Sequence, residues 1–270
     1  MSSLPALFVP HGAPTFALHP GAAGAALTAV ARKLPRPRAI VVVSAHWDTD
    51  EPCVGFADRP ETIHDFWGFP PELYQLHYPA KGSPQAASEV LAAISAAGLA
   101  VERDAGRGLD HGAWVPLRMM YPEAEVPVVP LSIQSHGGTA QAYRLGQALA
   151  PLAASGVLLI GSGNVTHNLR DYQSAAGDGA QTPSYVGEFS DWLSVRLAAH
   201  DLPALLDYRR LAPGGVRAQP TEEHLLPLYF ALGAGGREAN VERIHSGVED
   251  HVIAMDGYAF WQPSSLPNPE

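Results

Sequence analysis

Ala39-Ile40-Val41-Val42-Val43-Ser44-Ala45-His46 is an apolar run rich in β-branched residues that closes on a histidine. A short run of this kind, without polar alternation, reads as a strand buried on both faces, as parallel strands covered by helices are. Two further runs share the pattern. One is Ala6-Leu7-Phe8-Val9-Pro10-His11; the other is Val157-Leu158-Leu159-Ile160, followed by Gly161-Ser162-Gly163-Asn164 and then Val165-Thr166-His167. Helical stretches lie between them. The expected fold is therefore α/β, a central mostly parallel or mixed sheet flanked by helices. Ligands of such sheets collect outside the carboxyl ends of the strands, so imidazoles delivered to that edge are candidates to meet at one metal ion.

Ala22 to Lys33 reads as an Ala-rich helix after the first strand. Asp48 to about Gly82 reads as an ordered loop carrying Phe66-Trp67-Gly68-Phe69-Pro70-Pro71, and a loop of that length is usually functional or mobile. Ser83-Pro84 supplies an N-cap and a first-turn proline for a helix to Ala97, stopped at Gly98. A helix from Ala113 to Tyr121 follows Asp110-His111-Gly112. Val126 to Ile133 reads as a strand that Pro127 and Pro130 confine to an edge or to irregular pairing. Helices are expected over Thr139–Ala154 and Pro183–His200, with an apolar helix through Leu225, Leu228 and Leu232 that Thr221 would cap. Strands are expected around Val241–Ile244 and Val252–Phe260. Without an internal repeat or linker, residues 1–270 read as one domain, with a frayed tail from about Pro263.

Composition narrows the function. Of 270 residues, 46% are hydrophobic and 16% charged, enough apolar surface for a sizeable core. A formal net charge of -10 disfavours nucleic acid and anionic membranes as partners. Cys53 is the only cysteine, which excludes an internal disulfide and a thiolate metal cluster and fits a reducing compartment. Met1-Ser2-Ser3-Leu4-Pro5 has no basic residue ahead of its apolar run, and that run is too short for a signal peptide. No stretch approaches the roughly 20 apolar residues of a membrane span. A cytoplasmic enzyme is the expectation.

The chain has twelve histidines. His19, His77, His136, His200, His245 and His251 read as surface or ordinary polar residues. His11 closes a strand inside a turn stiffened by Pro10 and Pro14; alone it also reads as a strand cap. His46 alone reads equally as a core histidine bonded to a carbonyl. His224, after Glu222 and Glu223, either sits near solvent at a helix start or completes a three-imidazole site suited to zinc, iron, copper or nickel. His167 and His111 are candidate acid/base groups, because imidazole titrates near neutrality. His64 lies in the aromatic loop, facing either a pocket or solvent. The Gly161–Asn164 turn lacks the third glycine of a dinucleotide fingerprint, and there is neither a Gly-x-Ser-x-Gly elbow nor a His-Glu-x-x-His helix.

Six segments in order resemble the class III, LigB-type extradiol ring-cleavage dioxygenases, in particular the branch acting on DOPA-like catechols. They are Phe8–Pro14, Val43–Trp47, His64–Tyr74, Leu109–Leu117, Gly161–Leu169 and Glu222–Pro227. The resemblance implies one divalent metal per chain, with ligands at His11, His46 and His224. It implies His167 as acid/base or as a fourth ligand, and His111 at the substrate or oxygen pocket. His64 and Trp47 would line the substrate site. Prototypes of the wider superfamily supply a glutamate as third ligand where this chain presents His224, with Glu223 next door. An all-imidazole set would also hold Zn(II), but dioxygen chemistry needs a redox metal, so Fe(II) is the expected active form. The implied partners are a small aromatic diol and O2, and a homo-oligomer is compatible. The competing readings are a zinc-dependent hydrolase and a non-catalytic binding protein on the same scaffold.

Overall fold

In a computed structural model, the protein is described for residues 4–174 and 181–263. The expected tail beyond Pro263 and the extreme N-terminus lie outside the described residues. The strands are β1 (Ala6–Pro10), β2 (Ala39–Asp48), β3 (Cys53–Gly55), β4 (Glu102–Asp104), β5 (Val128–Ile133), β6 (Val157–Gly163), β7 (Asn240–His245), β8 (Val248–Glu249), β9 (Ile253–Ala254) and β10 (Gly257–Trp261). Eight of them form one sheet in the order β4-β3-β5-β2-β6-β1-β10-β7, and β8 pairs with β9 separately. The centre, β5-β2-β6-β1, is parallel; β10 runs antiparallel to β1 and to β7. The sheet is thus mixed with a parallel heart, as expected.

Burial explains the heart. Every residue of β1, β5 and β6, and Ala39 to Ala45 of β2, is buried. The two faces feed two separate apolar clusters. One contains Phe8, Val41, Val43 and Leu159; the other contains Leu7, Val9, Ile40, Val42 and Ile160. That is the alternation of a strand with helices on both sides. Of the helices α1 (Gly21–Lys33), α2 (Pro84–Ala96) and α3 (His111–Met120), the first and third pack together on one face. On the other, α4 (Gly138–Leu149) lies against the helix Leu226–Gly235. A Cβ at Gly146 would overlap the Phe230 carbonyl and one at Gly233 the Tyr143 carbonyl, so these glycines permit the close crossing.

Several expectations change. Of the two expectations for β5, the irregular pairing holds and the edge does not: it lies between β2 and β3, with a register shift against β2 and a single pair to β3. Its prolines are tolerated because β2 takes only one set of its backbone groups. Ile40 donates to the Pro127 carbonyl, and the Val128 N–H goes sideways to the Lys81 carbonyl. Pro130 shares that sideways parity, and β3 contacts β5 through a single register pair, Val54 with Leu131. The long loop after β2 contains β3 and a 3-10 turn, Pro71–Gln75. The strand expected to stop at Ile160 runs on to Gly163. Thr221 does not cap the apolar helix; its hydroxyl donates to Glu223 Oε1 at 2.9 Å, and the helix begins at Leu226. In contrast, Ser83 caps the helix Pro84–Ala96 by accepting from the Ala86 N–H.

Candidate metal centre and cleft

The order β2-β6-β1 places the three histidine-bearing strand ends side by side at the carboxyl edge of the parallel strands. His11 follows β1, His46 ends the inward run of β2, and His167 follows β6. Two glycines bring the fourth. A Cβ at Gly161 would overlap the Pro227 carbonyl and one at Gly163 the His224 carbonyl, so the chain carrying His224 lies flush on β6. Asn164 N–H then donates to the His224 carbonyl at 2.9 Å. His111 arrives at the first turn of α3, which Asp110 caps by accepting from the Ala113 N–H.

Five imidazoles therefore share one floor. Ring centroids lie 5.0 Å apart for His11 and His46, 5.3 Å for His11 and His224, 5.0 Å for His46 and His224, and 4.0 Å for His46 and His111. His167 stacks on His224 at 3.4 Å, 9° from parallel. Possible ligand atoms fall into two tight groups, His11 with His46 and His111, and His167 with Glu223 and His224, each within 4.8 Å. The set His11, His46 and His224 thus draws on both groups.

The outer hydrogen bonds fix the tautomers. Ser162 Oγ donates to the Gly112 carbonyl, so its own hydrogen is committed. It must then accept from His11 Nδ1 at 3.0 Å, leaving His11 Nε2 as a bare lone pair. Glu223 Oε1 accepts from His224 Nδ1 at 3.1 Å. His224 Nε2 is consequently bare, and it is buried without any hydrogen-bond partner. His11 Nε2 faces His46 Nε2 at 3.2 Å, a contact that needs one hydrogen or one cation between the two nitrogens. A buried acceptor without a donor is costly. Neutral imidazoles with Nδ1 tied outward and Nε2 turned inward are the arrangement that divalent metals select. The donor set therefore fits a metal.

Electrostatics agree. Burial, then repulsion from the other imidazoles, holds His11 well below its ordinary range, and His224 likewise. Burial and then His111 push His46 down to about 3, against the pull of Asp65. Burial lowers His167 to about 4, with Glu223 opposing and His111 assisting. These four rings are held neutral at neutral pH.

Above the floor lies a cleft of about 360 Å³ bordered by Gly12, Phe66, Trp67, Phe69, Tyr172 and Ile253, with His46, His111, His167 and His224 at its base. His64 and Trp47, the expected substrate-binding residues, do not border it. His64 Nε2 donates to the Leu76 carbonyl at 3.0 Å, and its ring packs among Phe66, Tyr74, His77 and Trp114. Trp47 is buried beneath Arg107, whose guanidinium sits 4.9 Å from the ring. Neighbouring strand residues point to opposite faces, so a β2 that turns His46 inward turns Trp47 away. Sequence reasoning also missed Asp65, which accepts from His111 Nδ1 at 2.8 Å, and Ser162, which holds His11. Asp65 stands next to the flagged His64 in the same motif, the one signal that pointed near it. Of the histidines expected at the surface, all are exposed except His245, which is half-buried.

Residues 14–260 match the family model described as the catalytic LigB subunit of aromatic ring-opening dioxygenase. The chain belongs to the LigB family. Curated relatives named 4,5-DOPA dioxygenase extradiol include one from Beta vulgaris, 43% identical over 226 residues and 83% of each chain. Another, from Escherichia coli K12, is 38% identical over 258 residues and 93% of each chain. The crystal structure of an uncharacterized Escherichia coli K12 protein superposes with a TM-score of 0.80 at 32% identity, covering 95% of this chain and 99% of that one. This LigB-family protein is accordingly an extradiol aromatic ring-opening dioxygenase. Among the described residues, no helix is long and apolar enough to cross a membrane.

Proposed function

We propose that the protein opens the ring of a catechol-type, DOPA-like diol with O2 at one divalent metal held by His11, His46 and His224, with Fe(II) as the active form. The observation that carries the ligand set is the pair of buried, bare Nε2 atoms, His11 fixed by Ser162 and His224 fixed by Glu223. Bound there, such an ion supplies Lewis acidity toward the diol and electrons toward oxygen.

The protein's own groups do the rest. Phe66, Trp67 and Phe69 offer aromatic surfaces to a flat ring over the imidazole floor. His167 has its backbone N–H on the Ala218 carbonyl at 2.8 Å and its ring on His224, so it is fixed at the cleft base. Being neutral, it accepts a proton from a diol hydroxyl. His111, held by Asp65, stands on the opposite side of the floor beside His46 and interacts with the substrate or oxygen. One catalytic domain in a reducing, cytoplasmic setting completes the proposal.

A second ligand set is favoured by the close grouping of His11, His46 and His111. Metal content of His111→Ala against His224→Ala separates the two. The reaction itself is tested by anaerobic Fe(II) loading, then a catechol panel with oxygen uptake recorded. Stoichiometric uptake with formation of a yellow ring-opened semialdehyde is expected. Hydrolytic activity with Zn(II) and no oxygen uptake supports the zinc-hydrolase reading instead, and no metal binding supports a binding protein.

A further inference from the structure

Asp65 has no part in the ligand set or the acid/base step, yet one carboxylate here serves two imidazoles. It lies in the loop between β3 and the helix Pro84–Ala96. That loop is pinned at Ile63, whose N–H donates to the carbonyl of Leu109, just ahead of α3, at 2.7 Å, and whose carbonyl accepts from Trp114 Nε1 of α3 at 3.0 Å. Phe66 adds an edge contact to the His111 ring, with centroids 5.7 Å apart. The carboxylate is therefore placed by fixed elements.

Asp65 grips His111 at two points. Oδ1 accepts from the backbone N–H of His111 at 2.8 Å, and Oδ2 accepts from its Nδ1 at 2.8 Å. Holding the backbone and the ring of one residue with one carboxylate fixes the side-chain rotamer as well as the tautomer. The hydrogen of a neutral ring is on Nδ1, so Nε2 is the nitrogen left for the cleft. Asp65 Oδ2 also stands 3.6 Å from His46 Nδ1, so the same group borders the ring next door.

We propose that Asp65 is a positioning residue for ring opening: it sets which nitrogen of His111 is presented to the substrate and keeps that ring in register with His46. The proposal rests on the reading of His111 as a cleft group. It makes an unusual demand on substitutions. Asp65→Asn is isosteric and keeps an oxygen for the His111 backbone N–H, but its amide presents N–H to Nδ1 and favours the opposite tautomer. A carboxylate that only filled space would be replaced by asparagine almost without effect. A carboxylate that selects a tautomer would not, as histidine–aspartate pairs in other enzymes show.

The test uses full-length protein as wild type, Asp65→Asn and Asp65→Ala. Nitrogen-15 imidazole spectra of the metal-free protein report the His111 tautomer, whatever the reaction proves to be. The expected result is Nδ1–H in wild type and Nε2–H in Asp65→Asn. Turnover of a catechol by the Fe(II)-loaded protein is expected to fall about 100-fold in kcat or more for Asp65→Asn, with KM within about threefold and metal bound at the wild-type stoichiometry. Asp65→Ala is expected to be no worse than Asp65→Asn. An unchanged His111 tautomer in Asp65→Asn, or wild-type kcat in that variant, overturns the proposal. If no catechol is turned over by wild type, the functional reading fails, and the tautomer measurement still decides the role of Asp65 in setting the ring.

Discussion

His167 lies stacked on His224, with centroids 3.4 Å apart and planes 9° from parallel. Both rings border the open cleft and His224 Nε2 is buried without a hydrogen-bond partner, so the proposed ligand and the proposed proton acceptor lie face to face. His167→Ala removes the acceptor and leaves the His224 Nδ1–Glu223 contact in place. Metal content near one per chain is expected, with kcat lowered about 100-fold or more. Metal analysis alongside steady-state kinetics checks this; undiminished turnover removes the acid/base role.

Gly163 lets the His224 carbonyl lie against β6. Gly163→Ala forces that backbone away, at a cost of about 3 kcal/mol, and moves His224 off the floor. Gly187, in the helix Ser184–Ala198, has nothing within 4 Å of an added Cβ. Gly187→Ala is expected to be neutral or to stabilise by up to about 1 kcal/mol. Urea unfolding of the two variants, with metal content, tests whether close approach rather than glycine itself is what the site needs.

Trp67 is 86% exposed at the cleft mouth. An indole so exposed contributes little to folding, so Trp67→Ala separates binding from stability. KM is expected to rise by up to about tenfold, with the melting temperature unchanged. A lowered melting temperature with unchanged KM would place Trp67 in the scaffold rather than the site.

Acid should destabilise the metal-free protein in a defined window. His46 and His167 are lowered to about 3 and about 4 in the folded state, and His11 and His224 are also lowered, all chiefly by burial. Below about pH 6.5 the unfolded chain takes up protons that the folded chain refuses, so stability falls as pH falls, by up to about 1.4 kcal/mol per pH unit for each such ring. Glu249, raised to about 7 chiefly by burial, and Asp256, also raised chiefly by burial, act with the opposite sign, while burial lowers His245 as well, and two carboxyls do not offset five imidazoles. Asp65, lowered to about 2 by its bonds to His111 against the opposing effect of burial, contributes only at more acid pH. Denaturant titrations between pH 4.5 and 7 should show the slope, and metal loading should steepen it by adding competition with protons. A flat profile would contradict neutral, buried imidazoles.

The heart of the fold was legible because long, two-sided apolar runs admit few other structures; β1, β2 and β6 announce themselves. β3 and β4 were not, since Cys53-Val54-Gly55 and Glu102-Arg103-Asp104 are three-residue strands with no pattern of their own. β5 was legible as a strand but not in its place, because the prolines suit an edge until one sees that its second neighbour barely bonds to it. In the site, strand-end histidines signal themselves along the chain. Asp65 and Ser162 act across 46 and 151 residues, a relationship that no local pattern encodes. Trp47, which the resemblance implies at the substrate site, does not border the cleft, because strand alternation turns it to the face opposite His46.

The Nε2 atoms of His11, His46 and His224 are proposed to gather one metal ion. The most direct measurement is Fe(II) binding by anaerobic titration calorimetry on wild type and on His11→Ala, His46→Ala and His224→Ala, with circular dichroism confirming that each is folded. One ion per wild-type chain, and loss of that site in each variant, is the predicted result. One ion per chain retained in any of the three, or none in wild type, would contradict it.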